Sequence, residues 1–410
     1  MDVPSGQPKS RRWRLALRCA VLAAAVALAL PLVPCLGVLK VLPGVSPFVA
    51  ACAALAARSI TTVALFGLPV LVLALLVPRG FCRYACPVGL LQEIVGRLRP
   101  RAGTAWVRVP PLGQAAAMLT LGGAAVGYPL LLWLDPLVIF SSFFGAWREP
   151  VTAISVATSL ALPLILLVGV LIPNAWCMRL CPLGATQELL ALPLRWASRD
   201  RKVAGIAAAS RSRLDTGGEL SLVRRAVLVA GLGVVAGTLT RRPRADAAPP
   251  IRPPAAAPEE RFTGLCARCG NCMRVCPSHI IRPDLGGHGV AGLLAPVLNF
   301  EADFCREDCH ACTQVCPTGA IGRMTLNDKR ADVLGIARVD LKTCRMATGT
   351  ECTACIVRCP YNAVDAEYVD AFTSRPAVDP SRCIGCGACE AACPVEGKAI
   401  RVFPAETKTP

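Results

Sequence analysis

Twenty-three cysteines lie in this 410-residue chain, and most of them have the spacing of iron–sulfur ligands. Four groups in the second half each end in Cys-Pro. They are motif one (Cys266, Cys269, Cys272, Cys276), motif two (Cys305, Cys309, Cys312, Cys316), motif three (Cys344, Cys352, Cys355, Cys359) and motif four (Cys383, Cys386, Cys389, Cys393). Three close thiolates suit one [4Fe–4S] cluster, and the fourth, before proline, is directed to a neighbouring cluster. The sixteen cysteines therefore predict four [4Fe–4S] clusters.

The four motifs predict two dicluster ferredoxin units, with two pairings left open. Motif one pairs with two and three with four, or one with four and two with three. A single cysteine group of this kind is compatible with a zinc site, and cysteines in an exported domain are compatible with disulfides. Four regular copies favour iron–sulfur clusters over both alternatives. Motifs two and three carry insertions of one and five residues, which are expected to change the solvent access of their clusters.

A second type of motif is written twice in the first half. Cys82-x3-Cys86-Pro87 and Cys177-x3-Cys181-Pro182 share a following Gly and a Gln-Glu pair. The spacing places two thiols on one side of a helical turn, so the copies supply four. These four are expected to bind one shared cluster, or two clusters completed by other ligands; a disulfide within each pair is the alternative.

The elements that carry the paired motifs are apolar. Residues 1–260 contain 27 Lys and Arg against 11 Asp and Glu, whereas residues 261–410 contain 17 against 16. Basic loops between apolar stretches orient membrane proteins, so the charge favours a membrane and not a nucleic acid. All three histidines, His279, His288 and His310, lie in the second half, which excludes haem ligation by histidine in the apolar half.

Four uncharged stretches of at least 18 residues predict transmembrane helices: Cys19–Leu39, Ile60–Val77, Gly113–Leu134 and Val151–Met178. Lys and Arg counts in the flanking segments alternate high and low, which places the N-terminus in the cytoplasm. We therefore expect a multidomain protein: a polytopic α-helical membrane domain of four or five helices with an internal duplication, then an α+β bacterial-ferredoxin-type domain.

A fifth apolar stretch, residues 226–240, follows Arg224-Arg225 and precedes Ala245-Asp246-Ala247. These features are typical of a twin-arginine export signal, with a plain fifth helix as the alternative. Gly231 and Gly233 predict close helix packing inside it. The predicted domains are a basic cytoplasmic N-terminus (1–18), a membrane domain (19–225), the signal or fifth helix (226–240), a Pro/Ala-rich linker (241–260) and the polyferredoxin domain (261–410).

The Cys82–Pro87 and Cys177–Pro182 motifs resemble those of NapH/MauN-type membrane proteins, and are also similar to those of NosR and CcoG. Residues 261–410 resemble the NapG/MauM polyferredoxins. The resemblance implies a membrane quinol dehydrogenase module fused to its exported electron carrier. The chain departs from the NapH pattern because residues 182–225 contain no cysteine.

The expected function is electron transfer from quinol to a periplasmic reductase or cytochrome c, with the chain in the bacterial inner membrane and the ferredoxin domain in the periplasm. Asp135 and Glu149 are the candidate proton acceptors for quinol oxidation. The alternatives are an electron-supplying maturation factor for a periplasmic redox enzyme, and an iron–sulfur redox sensor. No nucleic-acid partner is expected.

Overall fold

The computed structural model describes residues 8–30, 39–58, 64–77, 79–98, 105–145, 156, 159–191, 216–241, 249–369 and 373–405. Contacts divide the chain into two units. The first contains Met1–Arg242, Thr263–Cys269 and Pro317–Gly319, and the second contains Pro243–Phe262, Gly270–Cys316 and Ala320–Pro410.

The first unit is helical, with two long helices, Pro8–Ala29 of 22 residues and Thr216–Thr240 of 25 residues. The other helices are shorter: Val41–Gly44, Pro47–Ala57, Leu68–Leu76, Gly80–Tyr84, Pro87–Gly96, Leu112–Ala125, Pro136–Gly145, Ala161–Leu171 and 182–191. The unit also has 3₁₀ turns at Ala64–Gly67, Ala105–Arg108 and Leu132–Leu134 and a π-helical turn at Trp176–Leu180.

The prediction of a polytopic membrane domain is wrong for the described part of the chain. No helix there combines the length and the apolar character that a membrane crossing needs. Glycine and proline divide the apolar stretches. The predicted span Gly113–Leu134 ends as a helix at Ala125, just before Gly127 with φ +84°. In Val151–Met178 the helix ends at Leu171, before Pro173 and the left-handed Asn174.

Glycines bring two helices of the first unit into backbone contact. A Cβ on Gly122 would lie 2.0 Å from the carbonyl oxygen of Ala230, and one on Gly233 would lie 2.1 Å from that of Leu119. The predicted packing role is confirmed for Gly233. A Cβ on Gly231, by contrast, would meet no atom within 4 Å. The 245–247 part of the predicted export signal falls outside the described residues.

The second unit is α+β, as predicted. Its described residues include three separate antiparallel ribbons: β1 (Ile281–Pro283) with β2 (Pro296–Leu298), β3 (Gly335–Val339) with β6 (Ile400–Pro404), and β4 (Val364–Tyr368) with β5 (Ser374–Val378). The helices are Asn271–Val275, Ala311–Gln314, Leu326–Ala331, Ala354–Arg358 and Ala388–Ala392, with a 3₁₀ turn at Val290–Gly292; helix Glu259–Leu265 includes a boundary between the units.

Part of the predicted linker packs on this second unit. The buried Arg252 forms an ion pair with Glu259 at 2.6 Å, and its guanidinium stacks over the Phe262 ring. The Ala255 N–H donates to Asp332 at 2.9 Å. Residues 249–258 are therefore held against the ferredoxin part.

Gly385 allows the motif-four loop to lie against β3. Its φ is +74°, and a Cβ there would lie 2.4 Å from the carbonyl oxygen of Gly335. Gly397 has a similar φ of +78° but nothing within 4 Å. The two positions separate the cost of a positive φ from the cost of a steric clash.

We predict that Gly385→Ala weakens the β3–β6 ribbon more than Gly397→Ala. The positive φ costs an alanine about 1 kcal/mol at either site, and the clash with Gly335 adds roughly 1–3 kcal/mol at the first. Hydrogen exchange of the β3 and β6 amides measures this difference. Equal loss of protection in both variants would contradict the close approach.

Candidate iron–sulfur centres

Short helices set the direction of the fourth cysteine in three of the motifs. Helices Asn271–Val275, Ala354–Arg358 and Ala388–Ala392 each end at a cysteine with extended backbone: Cys276, Cys359 and Cys393, with ψ of 112°, 112° and 121°. Proline at the next position disfavours the helical conformation of the residue before it. The chain therefore leaves its own loop at the fourth cysteine, as the spacing predicts.

The first three cysteines of motif two meet the last cysteine of motif one. Burial raises the pKa of the Cys312 thiol, and the neighbouring Cys305, Cys276 and Cys309 raise it further. Cys276 likewise acts on Cys305. We call Cys305, Cys309, Cys312 and Cys276 thiol set two.

Motifs three and four exchange their last cysteines. A space of about 340 Å³ is lined by Cys344, Cys352, Cys355 and Cys393, which form thiol set three. A second space of about 300 Å³ is lined by Cys383, Cys386, Cys389 and Cys359, which form thiol set four. Apart from the cysteines, both spaces have mainly apolar walls, including Ile400 beside set three and Val364 beside set four. The structure thus brings these eight cysteines together as two groups of four.

These exchanges favour one of the two pairings left open by the sequence. Cys276 joins motif two, and Cys359 and Cys393 cross between motifs three and four, so motif one pairs with two and three with four. Cys266 and Cys269 belong to the first unit and Cys272 and Cys316 to the second. A cluster held by these four remaining cysteines stays a prediction.

Thiol sets two and four are neighbours. The Cys305 N–H donates to the Cys386 carbonyl oxygen at 2.8 Å. Burial raises the pKa of the Cys386 thiol to about 12, with further contributions from Cys359, Cys305 and Cys383. On the other side, Cys355 of set three acts on Cys389 of set four. The order in space is therefore two, four, three.

A buried lysine lies under thiol set two. Lys329 is 1% exposed, and its ammonium donates to the carbonyl oxygens of Arg306 and Cys309. Burial raises the pKa of the Cys305 thiol, whereas the Lys329 charge and hydrogen bond lower it. Lys329 lies outside every cysteine motif, so the cysteine spacing gives no sign of it.

The two Cys-x3-Cys-Pro pairs converge in the first unit. Burial raises the pKa of the Cys86 thiol, with added contributions from Cys82 and Cys177. The Cys181 thiol is shifted in the same direction by burial and by all three other cysteines. The two copies therefore place four thiols around one point.

Backbone and side-chain donors face these sulfurs. The Gly89 N–H donates to Cys86 Sγ and the Gly184 N–H to Cys181 Sγ, each at 3.4 Å. Gln187 Nε2 lies 3.1 Å from Cys82 Sγ. Hydrogen bonds to ligand sulfurs stabilise their charged form and tune cluster potentials.

Asp135 is buried beside this region, and the second quinol candidate falls outside the described residues. The Asp135 carboxylate is 0% exposed; it accepts from Ser46 Oγ at 2.6 Å and from the backbone N–H groups of Leu137 and Val138. Burial raises its pKa to about 6, and these hydrogen bonds limit the increase. Glu149 is among the residues without a structural description. The proton-acceptor role of both stays a prediction.

The thiol sets fit clusters by the chemistry of their donors. Within the described ranges, no three His, Cys, Asp or Glu side chains are grouped closely enough to hold a single metal ion. A [4Fe–4S] cluster takes one cysteine thiolate at each of its four irons, so its ligands surround a larger group. The spaces inside sets three and four, lined by four thiols each, have this arrangement.

Comparison with known proteins agrees with these groupings. Residues 265–321 and 350–396 each match a 4Fe-4S dicluster domain, and residues 59–104 and 154–203 each match a 4Fe-4S binding domain. The methylamine utilization ferredoxin-type protein MauM of Methylobacillus flagellatus is 34% identical over 190 residues, which cover 44% of this chain and 80% of that protein.

The ferredoxin-type protein NapG of Escherichia coli is 33% identical over 213 residues, covering 48% of this chain and 89% of NapG. The chain belongs to the MauM/NapG family of ferredoxin-type proteins. MauM of Methylorubrum extorquens is 35% identical over 162 residues, or 38% of this chain and 73% of that protein. No solved structure matches.

Family membership and the domain matches show an iron–sulfur electron-transfer protein with several [4Fe–4S] clusters. The fusion to a NapH-type membrane domain is not confirmed. The matches at 59–104 and 154–203 do agree with the predicted duplication of a cluster-binding motif.

We predict that Asp135→Asn removes a pH dependence from the stability of the first unit. The folded-state pKa of about 6 lies above the ordinary aspartate value of 3.8. The native state therefore keeps its proton longer, and stability falls as the pH rises from about 4 to about 6, by about 3 kcal/mol.

The urea midpoint of the tryptophan fluorescence transition measures this effect, because all six tryptophans precede residue 197. Asn preserves an acceptor for the two N–H groups and does not ionise, so its midpoint is expected to stay level over that range. Parallel curves for the two proteins would contradict the assignment.

We also predict that Lys329→Met lowers the reduction potential of one cluster. Loss of a buried positive charge disfavours the more negative reduced state, and a tenfold change in that equilibrium corresponds to about 60 mV. Redox titration followed by electron paramagnetic resonance measures the shift. Lys342→Met, which removes an exposed lysine, is the control. The same shift in both variants would contradict a local effect.

Proposed function

We propose that this chain is a four-cluster electron relay in which the sixteen cysteines of motifs one to four bind the clusters. The observation that carries the proposal is the continuous order of thiol sets two, four and three, joined by the Cys305–Cys386 backbone hydrogen bond. When bound, [4Fe–4S] clusters supply one-electron transfer. The chain itself fixes their order, surroundings and access.

Burial of the motif-four cysteines supports a relay. Cys383, Cys386, Cys389 and Cys393 are each at most 8% exposed. Apolar side chains around them exclude water, which reduces the reorganisation of solvent around a changing charge. Lys329 supplies a buried positive charge beside set two, and Arg345 lines the space inside set three, whereas no described Lys or Arg lines the space inside set four. The residues thus give the sets unequal surroundings.

Motif three is the proposed exit. Its five-residue insertion contains the exposed Arg345, Thr350 and Glu351, and Cys352 is half-buried. Cys359 of thiol set four is half-buried as well, so cysteine burial does not separate the two sets. The exposed insertion beside Cys352 is the feature that marks thiol set three as the exit.

For donor and acceptor we propose a quinol and a c-type cytochrome or reductase outside the cytoplasm. Two resemblances support this proposal. The paired cysteine motifs resemble those of NapH/MauN-type proteins, and residues 224–247 resemble a twin-arginine export signal. Asp135 is fully buried, so a direct quinol contact requires Ser46 or its neighbours to move. Supply of electrons for maturation of a partner enzyme is the alternative outcome.

Interruption of set four tests the relay. Protein purified without oxygen is reduced with dithionite and mixed with oxidised cytochrome c, and freeze-quench electron paramagnetic resonance counts the clusters still reduced. In Cys359→Ser we expect part of the clusters to re-oxidise at least tenfold more slowly than in the wild type. Cys19→Ser, which changes an exposed cysteine outside the motifs, is the control.

Complete re-oxidation of Cys359→Ser at the wild-type rate would contradict the relay order. A second mixing experiment uses a reduced quinol analogue in place of dithionite. Cluster reduction by the quinol supports the proposed donor, and clusters that respond only to dithionite would overturn it while leaving the relay intact.

A further inference from the structure

We infer that the two Cys-x3-Cys-Pro pairs form one shared [4Fe–4S] site, a fifth cluster site held by Cys82, Cys86, Cys177 and Cys181. The domain matches cover each repeat separately and do not say which residues bind or whether the repeats share a cluster. This fifth site lies in the first unit and does not depend on the proposed relay.

The four thiols act on one another across the repeat. Cys177 of the second copy has Cys82 of the first among its electrostatic neighbours, and Cys181 has both Cys82 and Cys86. Neither copy alone supplies more than two thiols. A cluster takes one thiolate at each of four irons, so the converged set is complete only when both copies contribute.

Hydrogen-bond donors are already directed at three of the sulfurs. The Gly89 and Gly184 N–H groups and the Gln187 amide reach Cys86, Cys181 and Cys82. Both turn positions are tightly packed, because a Cβ on Gly89 or Gly184 would lie 3.0 Å from the carbonyl oxygen of Cys82 or of Cys177. The turns therefore bring N–H groups to sulfur in the same way in both copies.

Arg79 connects the two copies beside the sulfurs. From the first repeat, its guanidinium donates to the Cys177 carbonyl oxygen at 2.8 Å and pairs with Glu188 of the second repeat at 2.8 Å. It is also an electrostatic neighbour of the Cys82 and Cys177 thiols. A positive charge at this point offsets part of the negative charge of a cluster with four thiolates.

Iron and acid-labile sulfide counts test the shared site in the full chain purified without oxygen. Four clusters in motifs one to four and one shared cluster require about 20 iron atoms per chain. A count near 16 would overturn the fifth site and leave the relay intact. A count near 24 indicates two separate clusters and would also overturn sharing. If the missing iron is traced to the cysteines of motifs one to four, the result contradicts the proposed relay and not the fifth site.

Paired substitutions give an independent readout. Cys82→Ser and Cys181→Ser are each expected to lose about four irons, and the double variant is expected to lose no more than either single variant. Additive loss would contradict a shared site. Cys52→Ala removes a buried cysteine of the same unit outside the set and is expected to retain all iron.

Discussion

The second unit depends on one constraint: its core consists in large part of cysteine side chains that must be kept apart and yet face common points. Cys276, Cys312, Cys344, Cys355, Cys383, Cys389 and Cys393 all belong to its main cluster of buried residues. The remaining members, such as Ile281, Phe300 and Val402, pack around them. Three two-stranded ribbons and several helices of four to six residues supply little regular structure of their own. Binding of metal and folding of this unit are therefore expected to be coupled.

The exchange of fourth cysteines shows how local rules produce long-range organisation. A short helix ends at Cys359, proline at position 360 keeps that cysteine extended, and its thiol reaches thiol set four. Cys393 makes the reverse exchange into set three. Each motif thus needs its partner to complete a set. The same principle operates in the first unit, where two copies of a shorter motif meet and Arg79 joins them.

The cysteine spacing predicted the ligand groups and the α+β class of the second unit, because both follow from local sequence. It left the pairing open, since that depends on which loops are adjacent in space. Lys329 gave no sequence signal: it lies on helix Leu326–Ala331, away from the cysteines, and becomes important only where its ammonium reaches the motif-two loop. Apolar composition misled the prediction for the first unit. Their uncharged, apolar sequences predicted that Gly113–Leu134 and Val151–Met178 are continuous helices. In the structure, turns after Ala125 and Leu171 divide them.

The hydrogen bond from Cys305 to Cys386 has a consequence for how such a protein can change over evolutionary time. It joins a loop of the first pair of motifs to a loop of the second pair, and residues 249–258 also pack onto this part of the chain. Deletion of motifs three and four would leave the Cys305 amide without its acceptor and expose apolar surface around thiol set two. A change that removes one pair of motifs is therefore expected to destabilise the loop of the other pair that this hydrogen bond holds.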